Sequence, residues 1–158
     1  MARPREFSIE TATQKAMNVF WAHGYEGSSL PELLKAIGIA RGSFYKAFDG
    51  KKPLFMSVLD LYDQEAIITA VTLLSGPDDV DGWDRIMLLF NQVVGAVASA
   101  DHRGCLVCTA AAGPAAYDVG IAKAVGLALD KMRNGFEVAL GASRQHNDLN
   151  EQQRHAFA

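Results

Sequence analysis

The chain has 158 residues, is 49% hydrophobic and carries a formal net charge of −3. That length and apolar content are enough for an ordinary buried core, and the absence of any 18-residue apolar run removes a transmembrane helix from the expectations. The charge is uneven: residues 1–52 hold eight Lys and Arg against five acids, net +3, and the rest of the chain is net −6, an asymmetry that suits a nucleic-acid binder with a basic end.

Arg3 and Arg5 form a short basic arm ahead of the first helical pattern. No apolar stretch follows them, so no signal peptide is expected, and two cysteines in such a chain fit a reducing cytoplasm. Residues 9–23 read as a helix with Ile9, Ala12, Ala16, Val19 and Phe20 on one face. Ser29 and Glu32 then make a capping-box pattern, and Pro31 sits in the first turn where its missing N–H is harmless. Leu33, Leu34 and Ile37 form an apolar stripe, and Gly38 suits the left-handed residue that ends a helix. A second short helix starts near Ala40 or Arg41 and runs to Phe48. Phe44 and Phe48, four apart, face inward, which leaves Arg41, Ser43, Tyr45 and Lys46 outside. A short helix, a glycine turn and a polar second helix on an aromatic pair describe a helix-turn-helix.

A long helix is expected over 52–74, from Leu54 through Tyr62 to Leu74, stopped by Ser75-Gly76-Pro77. Asp78, Asp79, Asp81 and Asp84 form an acidic loop at the start of the next helix, where acids suit the helix dipole. That helix carries Trp83, Ile86, Met87, Phe90, Val93, Val94 and Val97. A short helix near 104–112 breaks at Gly113-Pro114, and another long one fits 117–141. Asp148 and Glu151 read as a last capping signal. No segment alternates with period two, so the expected fold is all-α: an N-terminal three-helix helix-turn-helix domain over 1–50, then a helical effector-binding and dimerisation domain over 51–158.

Several spaced motifs in the first third of the chain agree at once. Ala16, Phe20, Gly24 and Tyr25 form an A…F…GY pattern, followed by the pair Ser28 and Ser29; Gly38, Gly42, Ser43, Tyr45 and Phe48 form GxxxGSxYxxF; Phe48, Lys51 and Leu54 form FxxKxxL. In these the chain resembles the DNA-binding domain of the TetR family of bacterial transcriptional regulators. Arg3 to Phe7 is similar to the arm of a subgroup, and Ala47 is a departure, standing where many members have His. The resemblance implies a homodimeric regulator, most often a repressor, that leaves a pseudo-palindromic operator when a small-molecule effector binds. It also implies two further long helices forming a four-helix dimer interface. Only about ten residues follow the Asp148–Glu151 signal, so the expectation is a chain clipped at its C-terminus.

Residue chemistry suggests the roles. Arg3 and Arg5 suit a minor groove, or else are a solvated tail. Ser28, Ser29, Tyr45 and Lys51 are the types that hydrogen-bond phosphates and fix register, and Lys51 and Lys52 open a helix whose free N–H groups favour an anion. Arg41, Ser43 and Lys46 suit base edges, and Gly42 allows close approach to the DNA backbone. The competing reading is a solvated face. For the effector, Tyr62, Trp83, Met87, Phe90, Cys108, Tyr117 and Phe136 are candidates to line a pocket between helices; residues of these types at helical spacing also serve as plain core.

Cys105 and Cys108 form a CxxC just after His102. Three readings stay open: small buried hydrophobes, a thiol switch assisted by His102 and Arg103, or a metal sensor completed by a second subunit or by His23, His146 or His155. No GxSxG, HExxH, Walker loop or GxGxxG occurs. The sequence therefore reads as a non-enzyme and calls for no cofactor and no resident metal. A helical interaction module without DNA binding is the remaining alternative.

Overall fold

In the computed structural model, which describes residues 8–77, 79–98, 103–144 and 149–158, all regular elements are helical. Helix α1 spans Ile9–Gly27 and is capped by the Ser8 hydroxyl, which accepts the Thr11 N–H at 3.4 Å. Its regular course stops at Gly24, with φ 69 and ψ 175, a conformation that costs glycine little. Tyr25–Gly27 continues in a new direction, so the expected helix over 9–23 ends where the kink falls.

Helix α2, Leu30–Ile37, starts at Ser29, whose hydroxyl accepts the Glu32 N–H at 3.3 Å. Glu32 turns its carboxylate to His23, 3.0 Å away, instead of returning it to the cap. Gly38 ends α2 with φ 83, its N–H donating to the Leu34 carbonyl at 2.9 Å. Helix α3, Arg41–Phe48, follows at once and closes on Asp49 at φ 60.

The expected helix over 52–74 is two helices. Helix α4, Lys51–Tyr62, gives way to a π-helical turn over Asp63–Ile67, in which the Ile68 N–H reaches back to the Asp63 carbonyl; α5 is Ile68–Ser75. Helix α6 spans Gly82–Ala98 and α7 Leu106–Ala112. A 3₁₀ turn over Pro114–Tyr117 takes up the first residue of the expected last long helix, so α8 is Val119–Gly141, capped by Asp118. Helix α9, Glu151–Phe157, begins differently from expectation. Its cap is Asn150, which accepts the Gln153 N–H while Gln153 accepts the Asn150 N–H, both at 2.9 Å. Asp148 lies outside the described residues.

One large apolar cluster runs from Ala12, Phe20, Leu33, Phe44 and Phe48 through Leu54, Phe55 and Val58 to Leu106, Ile121 and Val125. The helix-turn-helix is thus packed onto the rest of the chain by a shared core, and each of its fully buried large side chains is worth about 1.5–3 kcal/mol in transfer from water. A smaller cluster of Leu74, Ile86, Leu89, Ala139 and Leu140 lies where α5, α6 and α8 meet. Asp81 fastens that end: it accepts the Trp83 N–H at 2.9 Å and the Arg144 N–H at 2.8 Å. These bonds, the Arg144 N–H first, hold its carboxyl below the usual carboxylate range. Among the described residues no helix is long and apolar enough to cross a membrane.

Candidate nucleic-acid interface and effector cavity

Phe44 is fully buried and Phe48 nearly so, their ring centroids 5.7 Å apart, and this pair seats α3 on the core. Periodicity then turns Arg41, Gly42, Ser43, Tyr45 and Lys46 to solvent, and all five are exposed. The Tyr45 ring stands edge-on to Phe44 at 5.4 Å, and the Arg41 guanidinium lies over Tyr45 at 5.8 Å. A β-carbon at Gly42 would meet nothing within 4 Å, so the helix is open there for close approach. Ala40 offers no side-chain cap, which leaves the first N–H groups of α3 without a side-chain acceptor. Ser29 is exposed at the start of α2, and the Lys51 ammonium sits 4.5 Å from the Tyr25 ring centroid at the start of α4.

Ser28 departs from the expected phosphate donor. Its side chain is fully buried, and its hydroxyl donates to the Gly24 carbonyl at 2.7 Å, with the Val19 carbonyl at 3.4 Å. It closes the kink in α1. Arg3 and Arg5 lie outside the described residues.

The second lysine of α4 makes a contact the sequence did not announce. The Lys52 ammonium lies 2.7 Å from one oxygen of Asp118, whose other oxygen accepts the Gly120 and Ile121 N–H groups at 2.9 and 3.2 Å. The Lys52 bond first, then these cap bonds, hold the Asp118 carboxyl below its ordinary value. The start of α4 is therefore tied to the first turn of α8.

The candidate effector residues divide. Trp83, Phe90 and Phe136 line one cavity of about 520 Å³ between α6, α8 and α9, together with Ile86, Leu140, Leu149, Phe157 and Ala158. Phe90 and Phe136 face each other there at 6.2 Å. Tyr62 lies elsewhere, buried edge-on to Trp21 at 5.2 Å and close to Cys105. Met87, 42% exposed, lies on the outer surface of α6, and Tyr117, 91% exposed, does not join any cavity wall described here. Cys108 is exposed on α7.

Comparisons with known proteins meet this geometry at both ends of the chain. Residues 13–58 match the family described as bacterial regulatory proteins, tetR family. Over 60 residues, 38% of this chain and 29% of the relative, the chain is 45% identical to the HTH-type transcriptional repressor ComR of Escherichia coli (strain K12). It is 27% identical over 151 residues to the HTH-type transcriptional regulator YezE of Bacillus subtilis (strain 168), covering 95% of this chain and 77% of that protein. A solved structure of a cysteine mutant of the TetR family regulator CifR, complexed with 26 bp operator DNA, superposes with a TM-score of 0.77 at 30% identity, covering 98% of this chain and 83% of the other. The chain belongs to the TetR family. It is a DNA-binding transcriptional regulator with an N-terminal helix-turn-helix domain and a helical C-terminal part.

In this TetR-family chain the CxxC lies where the head touches the rest. Cys105 is the N-cap residue of α7 and is half-buried; Arg103 and Gly104 just before it are pinned to α1. Trp21 donates its indole N–H to the Gly104 carbonyl at 2.6 Å, and Arg103 stacks on the Trp21 ring at 4.6 Å while donating to Asn18 at 2.8 Å. Partial burial first, then the neighbouring Cys105 sulfur, raises the Cys108 thiol above its ordinary value. That reduces its thiolate fraction and hence its nucleophilicity. Among the described residues no group of three His, Cys, Asp and Glu is placed to hold a metal ion; His102 and His146 lie outside them.

Proposed function

We propose that this TetR-family protein is a cytoplasmic, ligand-responsive repressor that binds a pseudo-palindromic operator as a homodimer. Residues 1–50 form the DNA-binding head, and residues 51–158 the effector-binding and dimerisation part. The carrying observation is the solvated face of α3, on which Arg41, Ser43, Tyr45 and Lys46 stand over the buried Phe44–Phe48 pair. An operator complex of a relative with 30% identity and the repressor function named for ComR support the reading. A dimer is expected because one head reads only half a site, and half-sites one DNA turn apart need heads ~34–36 Å apart.

The working route from effector to head is α8. Its C-terminal half walls the apolar cavity through Phe136 and Leu140, and its cap Asp118 holds Lys52 at the start of α4. An effector shifts the equilibrium only through different affinity for the operator-bound and free states, and a displacement of α8 is the difference this arrangement offers.

Base reading is tested at three positions. Arg41→Ala and Lys46→Ala are expected to relax base preference and to cost about 1–3 kcal/mol on the cognate operator. Lys51→Ala should weaken cognate and scrambled duplexes alike and lower the salt slope by about one unit. Titrations against both duplexes at several salt concentrations separate the two classes, and equal losses on both duplexes for all three variants would remove the base-reading assignment.

A redox-sensing regulator acting through Cys105 and Cys108 is the alternative, because the pair sits at the loop that clamps α1 through Trp21 and Arg103. The raised Cys108 thiol weighs against a reactive switch, while its exposure sets Cys108 apart from a small buried hydrophobe. Mild oxidant is accordingly expected to leave operator binding intact, and Cys105→Ala or Cys108→Ala to lower stability only modestly. Oxidant-driven operator release that disappears in Cys108→Ala would establish the switch instead.

A further inference from the structure

The cavity between α6, α8 and α9 has a composition that narrows its ligand. Its volume, about 520 Å³, lies in the range of sites that hold small organic molecules. Its described walls are made only of apolar residues. Four of them are aromatic, Trp83, Phe90, Phe136 and Phe157, and among the described residues no Lys, Arg, Asp or Glu lines it. An anionic ligand would lose its hydration there and gain no cation in return, and a cationic ligand would gain no carboxylate. Aromatic faces attract a cation, but only weakly beside that loss of hydration.

The chain has a charged cleft of its own in another place. It is a smaller cavity of about 240 Å³ between α4, the π-helical turn and α8, rimmed by Asp60, Asp63, Lys123 and Lys131. That second cavity mixes these four charged residues with apolar ones such as Met56, Leu59 and Leu127, whereas the described lining of the first holds no charged side chain. The Phe90 and Phe136 rings, 6.2 Å apart and tilted 31° to each other, converge on the apolar cavity from opposite helices. Planar unsaturated groups pack against such faces by offset stacking.

We infer that the effector of this regulator is an uncharged, largely apolar molecule, aromatic in at least part and about two or three rings in size, held in the α6–α8–α9 cavity against Phe90 and Phe136. This inference rests on the ligand-responsive reading above and gives it a chemical class.

N-Phenyl-1-naphthylamine is the probe. It is neutral, it brightens in apolar surroundings, and its sulfonated counterpart 1-anilinonaphthalene-8-sulfonate carries the same ring frame with one negative charge. The full chain is expected to bind the neutral probe saturably, one per chain, at least tenfold tighter than the sulfonate at physiological salt. Phe90 is half-exposed, so Phe90→Ser and Phe90→Glu are expected to leave the fold intact, which circular dichroism checks. The first is expected to weaken probe binding several-fold and the second to abolish it. Met87→Ser and Val94→Ser, on exposed parts of α6 outside the cavity lining, should leave binding unchanged and so exclude general adsorption to an apolar surface.

Non-saturable binding, equal affinity for the two probes, or unaltered binding in Phe90→Glu would overturn the inference. Saturating neutral probe should also lower operator affinity several-fold in the native protein and not in Phe90→Glu, and the absence of that shift would equally overturn it. Operator binding by the unliganded chain is measured in parallel. Its absence would count against the regulator reading, whatever the cavity does.

Discussion

Replacing Phe44 by alanine is expected to cost about 3–5 kcal/mol and to abolish operator binding. Phe44 is fully buried, and it seats both Phe48 and the Tyr45 ring that supports Arg41. Removing it leaves a void beneath α3 that an eight-residue helix held by two short turns has little means to close. A loss of that size is a large share of the roughly 5–15 kcal/mol that stabilises a typical domain. Denaturant titration should show a lower midpoint, and DNA titration should show loss on cognate and scrambled duplexes together, because the whole solvated face of α3, the proposed reading face, goes with its support. Retained cognate binding at near-native affinity would mean that α3 is held by something other than this aromatic pair.

Gly82→Ala is the second large effect, and it concerns the end of the chain that holds the apolar cavity. A β-carbon on Gly82 would lie 1.8 Å from the Ala139 carbonyl oxygen and 2.8 Å from its carbon. Both atoms are backbone, so no rotamer change relieves the clash. The first turn of α6 would have to move off α8, and the Gly82 N–H, which donates to the Ala142 carbonyl at 3.3 Å, would lose its acceptor. Overpacking of about 1–3 kcal/mol and a lost backbone hydrogen bond of about 1 kcal/mol together give roughly 2–4 kcal/mol. Gly126→Ala is the contrast: it lies inside α8, and its β-carbon would meet nothing within 4 Å. Helix propensity alone then predicts a gain approaching about 1 kcal/mol. Thermal unfolding of the two variants should shift in opposite directions. A Gly82→Ala protein as stable as the native one would show that α6 and α8 do not approach this closely.

Much of the fold was legible because its punctuation is local. Ser29, Pro31 and Gly38 bound α2, and Gly24 stops the regular part of α1, each through a backbone preference that belongs to the residue itself. The face of α3 was legible for a similar reason, since two phenylalanines four apart fix which side goes in. The cavity was only partly legible. Trp83, Ile86 and Phe90 fall within about 60° of a helical wheel, and Met87 lies only about 40° beyond Trp83, so the period alone did not set Met87 aside. Tyr117 was lost to a 3₁₀ turn that the pair Gly113-Pro114 allowed but did not specify. Ser28 was misread because its burial depends on the direction the chain takes after the kink at Gly24. The Lys52–Asp118 tie joins residues 66 positions apart, which no local pattern encodes.

The π-helical turn over Asp63–Ile67 accommodates one residue more than an α-turn would. The buried positions record it. Phe55, Leu59 and Tyr62 follow ordinary helical spacing, and the next buried residue, Ile67, comes five positions later. Everything beyond that point is rotated by about 100° relative to an unbroken helix. One continuous rod thereby presents two faces at different azimuths: the earlier half meets α1, α3 and α7, the later half meets α6, and both meet α8. The extra residue sets the angular phase between the half that meets α1 and α3 and the half that meets α6, and deleting one residue from the turn would rephase one half against the other without removing any side chain of the exposed α3 face or of the apolar cavity.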